Sequence, residues 1–156
     1  MSEAQVIAGG QLRADVLWHA HRWLGTPYHH QGRVLGVGVD CAGLLCEVYR
    51  EVGLMPEIDP GNYPADWHLH RSEERILEWA DRCAVPVQGE PQPGDAVLFK
   101  FGRTFSHACI VVGWPWVIHA ERRNGCVLLA DVSQGDCAGR EFRAYTFPAL
   151  VEGQVA

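Results

Sequence analysis

One cysteine and two histidines hold most of the chemical potential of this chain. Cys41 lies in Gly-Val-Asp-Cys-Ala-Gly-Leu-Leu, Gly38 to Leu45. A Gly-rich, flexible run from Gly32 to Gly38 leads into Asp40. An apolar pattern of helical spacing then begins at once: Leu44, Leu45, Val48, Tyr49 and Val52, with Gly53 as a stop signal. Asp40 is a natural N-cap, so Cys41 falls in the first helical turn. There, unpaired backbone N–H groups and the helix dipole favour a thiolate, which is the nucleophilic form. On that reading Cys41 alkylates fastest of the cysteines near neutral pH. The commoner fate of a free Cys is a buried structural position. A nucleophile also needs a base, and the base needs a group to orient it. Ser106 to Gly113 reads as a strand led by His107. A turn at Gly113-Trp114-Pro115 follows, and then a strand from Trp116 to Ala120 carries His119. Side chains alternate faces with period 2, so a hairpin register can put both rings on one face as neighbours. A Cys-His-His triad follows: Cys41, His107, His119.

These residues need a scaffold, and the pattern supplies one. A first helix is expected from about Leu12 to Leu24, with Leu12, Val16, Ala20, Trp23 and Leu24 on one stripe and Gly25 and Pro27 ending it. The nucleophile helix spans Asp40 to Val52. A Pro-bearing loop runs from Met55 to His70, and its Tyr63 and Trp67 could wall a groove or pack in the core. A third helix, capped by Ser72, runs to about Cys83. Strands are expected near 95–101, 107–112, 116–120, 125–132 and 140–147, with Asn124-Gly125 as a hairpin turn. Helices first and antiparallel strands after make an α+β fold, with N-terminal helices packed on a central antiparallel sheet.

Composition bounds the rest. At 156 residues the chain reads as a single domain, 1–156, with room for one core. A formal net charge of −6 argues against general nucleic-acid binding. No apolar run approaches a membrane span, and the N-terminus lacks the pattern of a secretory signal. Synthesis in the cytoplasm is the expectation. The six cysteines form no Cys-x-x-Cys pair, and no disulfide framework is expected. Cys46, Cys83, Cys109 and Cys126 read as core or near-core small apolar residues, and Cys137 as an exposed thiol in a polar turn. Eight histidines invite a metal reading. His19 and His21 stand two apart on a helix and face different ways. The pairs His29-His30 and His68-x-His70 could take zinc only adventitiously, so neither a metal nor a cofactor is expected.

Four segments together resemble the NlpC-type cell-wall cysteine peptidases, a bacterial and phage branch of the papain-like fold. Leu24 to Tyr28 is similar to the family's segment before the nucleophile, and Gly38 to Gly43 to its nucleophile motif. Pro93 to Phe99 is similar to its first core strand, and Ser106-His107 through His119-Ala120 to its hairpin of base and third residue. They occur in the family's order and span residues 24 to 120. The resemblance implies a papain-like α+β domain that cleaves peptide bonds in peptidoglycan stem peptides, often between D-γ-glutamate and a diamino acid. Cys41 would attack, His107 would shuttle the proton, and His119 would orient His107. The backbone N–H of Cys41, with Tyr28, would stabilise the oxyanion. Asp40 would hold the substrate's amino end. Many members have Ser directly after the nucleophile and this chain has Ala42, which removes one hydroxyl contact worth about 1 kcal/mol.

The loop Tyr63-Pro-Ala-Asp-Trp67, followed by a Ser-Glu-Glu helix, resembles the phage-tail and phage-like-particle branch. That implies an enzyme carried on a tail tip, with tail-tip or baseplate proteins as partners, which opens the wall from the periplasmic side for DNA delivery. Two other classes remain open. One is a baseplate component that kept the fold without activity, against which the complete Cys41, His107 and His119 set argues. The other is a cysteine-dependent cell-wall amidase. Lipid-acting acyltransferase relatives place His before Cys, and this chain has the opposite order.

Overall fold

The computed structural model describes residues 3–55 and 80–151. Helix α1, Glu3–Arg22, is followed by a two-stranded ribbon, β1 (Arg33–Val34) and β2 (Gly38–Val39), and then by helix α2, Cys41–Val52. Six further strands follow: β3 (Val85–Pro86), β4 (Ala96–Phe101), β5 (Thr104–Gly113), β6 (Trp116–Glu121), β7 (Cys126–Asp131) and β8 (Phe142–Thr146). They form one antiparallel sheet in the order β3-β8-β4-β5-β6-β7. The fold is α+β, as expected, with α2 packed against β5 and β6 and α1 packed on α2.

Alternation along the strands builds two cores. Ala96, Leu98, Ala108, Ile110, Ile118 and Ala120 face the helices and meet Leu44, Leu45, Val48 and Tyr49 of α2, with Val16, Ala20 and Trp23 from the α1 side. Val97, Phe99, Cys109, Val111 and Val117 face the other way and pack with Val132, Cys137 and Ala144. The second face is covered by the connection from β7 to β8, which holds a single 3-10 turn, Gly135–Cys137.

The structure departs from the sequence expectation in four places. Helix α1 starts at Glu3 rather than Leu12. Residues 3–8 are mostly good helix formers, and the cost of Gly9 and Gly10, about 1 kcal/mol each, does not break it. The run from Gly32 to Gly38 is an ordered ribbon rather than a flexible lead. A Cβ on Gly32 would sit 2.7 Å from the Gly38 carbonyl carbon, and one on Gly38 would sit 2.7 Å from His29 Cβ. Its glycines therefore permit close packing. Cys137 is buried, not exposed. Strand β3 and the helical turn Pro148–Val151 are too short to leave a periodic signature. The expected loop with Tyr63 and Trp67, and most of the helix from Ser72, lie outside the described residues. Only the end of that helix, at 80–83, is described, and it is helical.

Candidate active site

Asp40 sets the nucleophile in place. Its Oδ1 accepts the Gly43 N–H at 2.9 Å, capping α2, and its Oδ2 accepts the Gln31 N–H at 2.8 Å, tying the loop before β1 to the helix start. Cys41 is the first residue of α2, and the Cys41 thiol donates to the Ser106 carbonyl at 3.5 Å. Ser106 immediately precedes His107, so this contact joins the helix start to the base-bearing strand.

A bulge aims that strand. Phe99 pairs with His107 but Lys100 pairs with Phe105, so Ser106 is an extra residue on β5. Phe105 therefore faces the helices while His107 faces away from them. Beyond the Gly113-Trp114-Pro115 turn, whose Trp114–Pro115 peptide is cis, β6 returns in the register Ile110 to Ile118. His107 and His119 then share a face as diagonal neighbours. His107 Nε2 and His119 Nδ1 are 2.7 Å apart, and the rings meet edge to face. This is the hairpin relation that the sequence predicts.

With Nε2 of His107 engaged by His119, Nδ1 is the nitrogen left to take a proton from sulfur. That role requires the tautomer in which His107 Nε2–H donates to His119 Nδ1. His119 is almost fully buried, and its Nε2 has no partner among the described residues. Phe101 packs edge-on against His107 at 5.6 Å between ring centroids.

Cys41, His107 and His119 line one cavity of about 500 Å³. Tyr28 joins them, along with Glu121, Arg122, Arg123 and Asp136 at the wall. Asp40 and Ala42 are buried beside the nucleophile but do not line this cavity. Neither His29 nor His30 lines it; His29 Nδ1 instead meets the His30 carbonyl. His19 Nδ1 meets Glu51 and His21 Nδ1 meets the Leu17 carbonyl, so those rings diverge.

The electrostatics differ from the expectation at Cys41. Burial and then the Asp40 carboxylate push the Cys41 thiol up to about 12. Backbone N–H groups of Ala108, Ala42 and Cys41 itself pull the other way and do not win. The helix start acts in the expected direction, but burial beside the Asp40 carboxylate outweighs it. Burial, the neighbouring His119 and Arg140 hold His107 down to about 3. The resting pair is thus a neutral thiol and a neutral imidazole. Burial also raises the Tyr28 hydroxyl, with Cys41 and Asp40 adding to the effect, so Tyr28 stays a hydrogen-bond donor at neutral pH.

Two neighbours of the His pair escaped the sequence reading. Cys109 Sγ is 3.7 Å from His119 Nδ1, and Cys137 is buried in the same core cluster as Cys109. Two-residue spacing from His107 places Cys109 on the same face. Nothing local reveals that Cys137 folds back onto it. Glu121, which ends β6, and the following Arg122 and Arg123 form a charged run visible in the sequence, and all three line the cavity wall.

A hydrolase built on a helix-start cysteine and a strand-borne histidine pair is the class that fold and site define. The NlpC/P60 family model matches residues 25–138, and the chain belongs to that family: it is a cysteine peptidase domain. Among solved structures it is similar to the NlpC/p60 domain of the peptidoglycan hydrolase SagA, at 20% identity over 86% of this chain and 98% of that one, with a TM-score of 0.60. It is similar to an NlpC/P60 family protein from Bacillus cereus ATCC 10987, at 21% identity and a TM-score of 0.63, over 86% of this chain and 40% of that one. It is also similar to the peptidoglycan hydrolase RipB from Mycobacterium tuberculosis, at 21% identity and a TM-score of 0.58, over 94% of this chain and 68% of that one. The chain thus spans less than half of the Bacillus protein's length. A search of curated protein sequences finds no match.

Proposed function

We propose that this chain hydrolyses peptide bonds in peptidoglycan stem peptides through an acyl-enzyme on Cys41. The observation that carries the reading is the 2.7 Å contact between His107 and His119 at the wall of the cavity that Cys41 also lines. The Cys41 proton passes to His107 Nδ1 as sulfur attacks the carbonyl carbon, and His107 then returns it to the leaving amine. Water releases the acyl group by the same route in reverse. His119 accepts the His107 N–H and fixes the ring. The Cys41 backbone N–H, at the helix start, and the Tyr28 hydroxyl are the donors that serve the oxyanion. Acidic and basic side chains together on the wall suit a substrate that carries both carboxylates and an amine. The order Cys before His and the family membership also support this reading.

The test is mass spectrometry of purified stem peptides and, separately, of muropeptides that keep the sugar, each incubated with the protein. New free carboxyl and amino ends within the peptide are expected, and are absent with Cys41→Ser. Release of intact stem peptide from its sugar would make the enzyme an amidase instead. No product from either substrate would leave a structural role. We further propose that the enzyme is carried on a phage or phage-like particle, docked to tail-tip or baseplate proteins. The support is the likeness of Tyr63 to Trp67 and the following Ser-Glu-Glu segment to that branch of the family. Purified particles are expected to contain the chain at low, symmetry-matched copy number, and its absence from them would refute carriage.

A further inference from the structure

We propose that His107, Cys109 and His119 form a binding site for zinc or a similar divalent transition ion, and that occupation of this site switches the peptidase off. The site goes beyond the proposed reaction, because Cys109 has no part in it. One potential ligand atom from each of the three residues lies within 4.8 Å of the other two. His107 Nε2 to His119 Nδ1 is 2.7 Å, and Cys109 Sγ to His119 Nδ1 is 3.7 Å. Tetrahedral zinc with ordinary bond lengths needs roughly 3.3 Å between two ring nitrogens and roughly 3.6 Å between nitrogen and sulfur. Parting the two rings by less than about 1 Å thus converts the hydrogen bond into an ion site. All three residues stand on the adjacent strands β5 and β6, which fix their spacing. The fourth position falls to Cys137, which shares a buried cluster with Cys109, or to water from the cavity. An ion can enter, since His107, His119 and Cys137 all line that cavity.

Inhibition follows from where the protons go. In the active tautomer His107 carries its proton on Nε2 and offers the Nδ1 lone pair to the Cys41 thiol. An ion on Nε2 needs the lone pair there, so the ring proton moves to Nδ1 and the base can no longer accept. His119 keeps its proton on Nε2 and gives Nδ1 to the ion. Cys109 loses its thiol proton, so binding releases one proton, or two if Cys137 also ligates. Cys41 does not take part.

The experiment titrates the purified protein with Zn2+ and, separately, with Co2+. Zn2+ is expected to inhibit the wild type. Cys109→Ala and Cys109→Ser should keep near-normal activity without metal and need at least about tenfold more Zn2+ for the same inhibition, since even outer-shell losses cost that much. Co2+ should give a thiolate-to-metal charge-transfer band in the wild type and in Cys41→Ser, and in the Cys109 variants the band should be lost, or, where Cys137 ligates, weaken and need at least about tenfold more Co2+. The band needs no turnover, so it stands even if the substrate proposed above is wrong. Circular dichroism and melting establish that each variant is folded; if one Cys109 variant is not, the other decides. Equal Zn2+ sensitivity in wild type and folded Cys109 variant overturns the proposal. So does a band that disappears with Cys41→Ser and survives Cys109 substitution, because the ion would then sit on the nucleophile. Absence of any band in the wild type overturns it as well.

Discussion

At the scale of single residues, the site is a neutral pair awaiting a substrate. Cys41, pushed up to about 12, is a thiol at pH 7. Iodoacetamide should therefore label it slowly at neutral pH, with a rate that climbs about tenfold per pH unit from 7 to 9, because only the thiolate reacts. Peptide mapping reads this directly, and a plateau below pH 8 would mean that an ion pair already exists. Cys41→Ser should abolish hydrolysis with the fold intact, since a hydroxyl is far harder to ionise than a thiol. His107→Ala should cost on the order of 10⁴ in kcat/KM, because members of such a unit act together. His119→Asn should cost less, roughly 10- to 100-fold, since the amide oxygen can still accept the His107 N–H. If the order of the two losses were reversed in a stem-peptide assay, the two histidines would exchange roles.

At the scale of elements, what matters is how tightly the helix start, the ribbon and the hairpin are joined. A Cβ on Gly43, in the first turn of α2, would lie 2.6 Å from the Gly32 carbonyl oxygen and 3.1 Å from Asp40 Oδ1. Gly43→Ala must push the ribbon off the helix or loosen the cap, at a cost of about 1–3 kcal/mol. Its melting temperature and kcat/KM should fall together. Gly10→Ala is the contrasting change, because nothing lies within 4 Å of the added carbon inside α1. It should raise stability by up to about 1 kcal/mol and leave activity alone. The same elements mark what the sequence made legible. Asp40, the apolar spacing of Leu44 to Val52 and the stop at Gly53 defined α2 to within a residue. Alternation about the Gly113 to Pro115 turn put His107 and His119 on one face, because strand periodicity is local. The ribbon at Gly32 to Gly38 was not legible, since its order comes from contacts with His29 and Gly43 that no local pattern encodes. Nor was the Cys109–Cys137 contact, which depends on how the connection from β7 to β8 folds over the sheet.

At the scale of the whole molecule, the sheet divides the interior into two cores, and both bury thiols. Cys41 and Cys46 lie in the core on the helix side, and burial is the leading cause that pushes them up, to about 12 and about 11. An unfolded thiol stays near its ordinary value, so above pH 9 the unfolded chain releases protons that the folded chain still holds. The folded pKa is the higher one. The stabilising contribution is therefore fully present below pH 9 and lost as pH rises toward the folded values. For Cys46 alone the loss between pH 8 and pH 11 is roughly 2 kcal/mol. Unfolding free energy from urea titrations should hold steady from pH 7 to pH 9 and fall steeply above it. Cys46→Ala should be less stable at pH 8, because it leaves a gap beneath α2. Its decline between pH 8 and pH 11 should nevertheless be shallower than that of the wild type by about the amount Cys46 contributes. Equal slopes for the two proteins would mean that Cys46 already meets solvent, and that the helix-side core is looser than its packing implies.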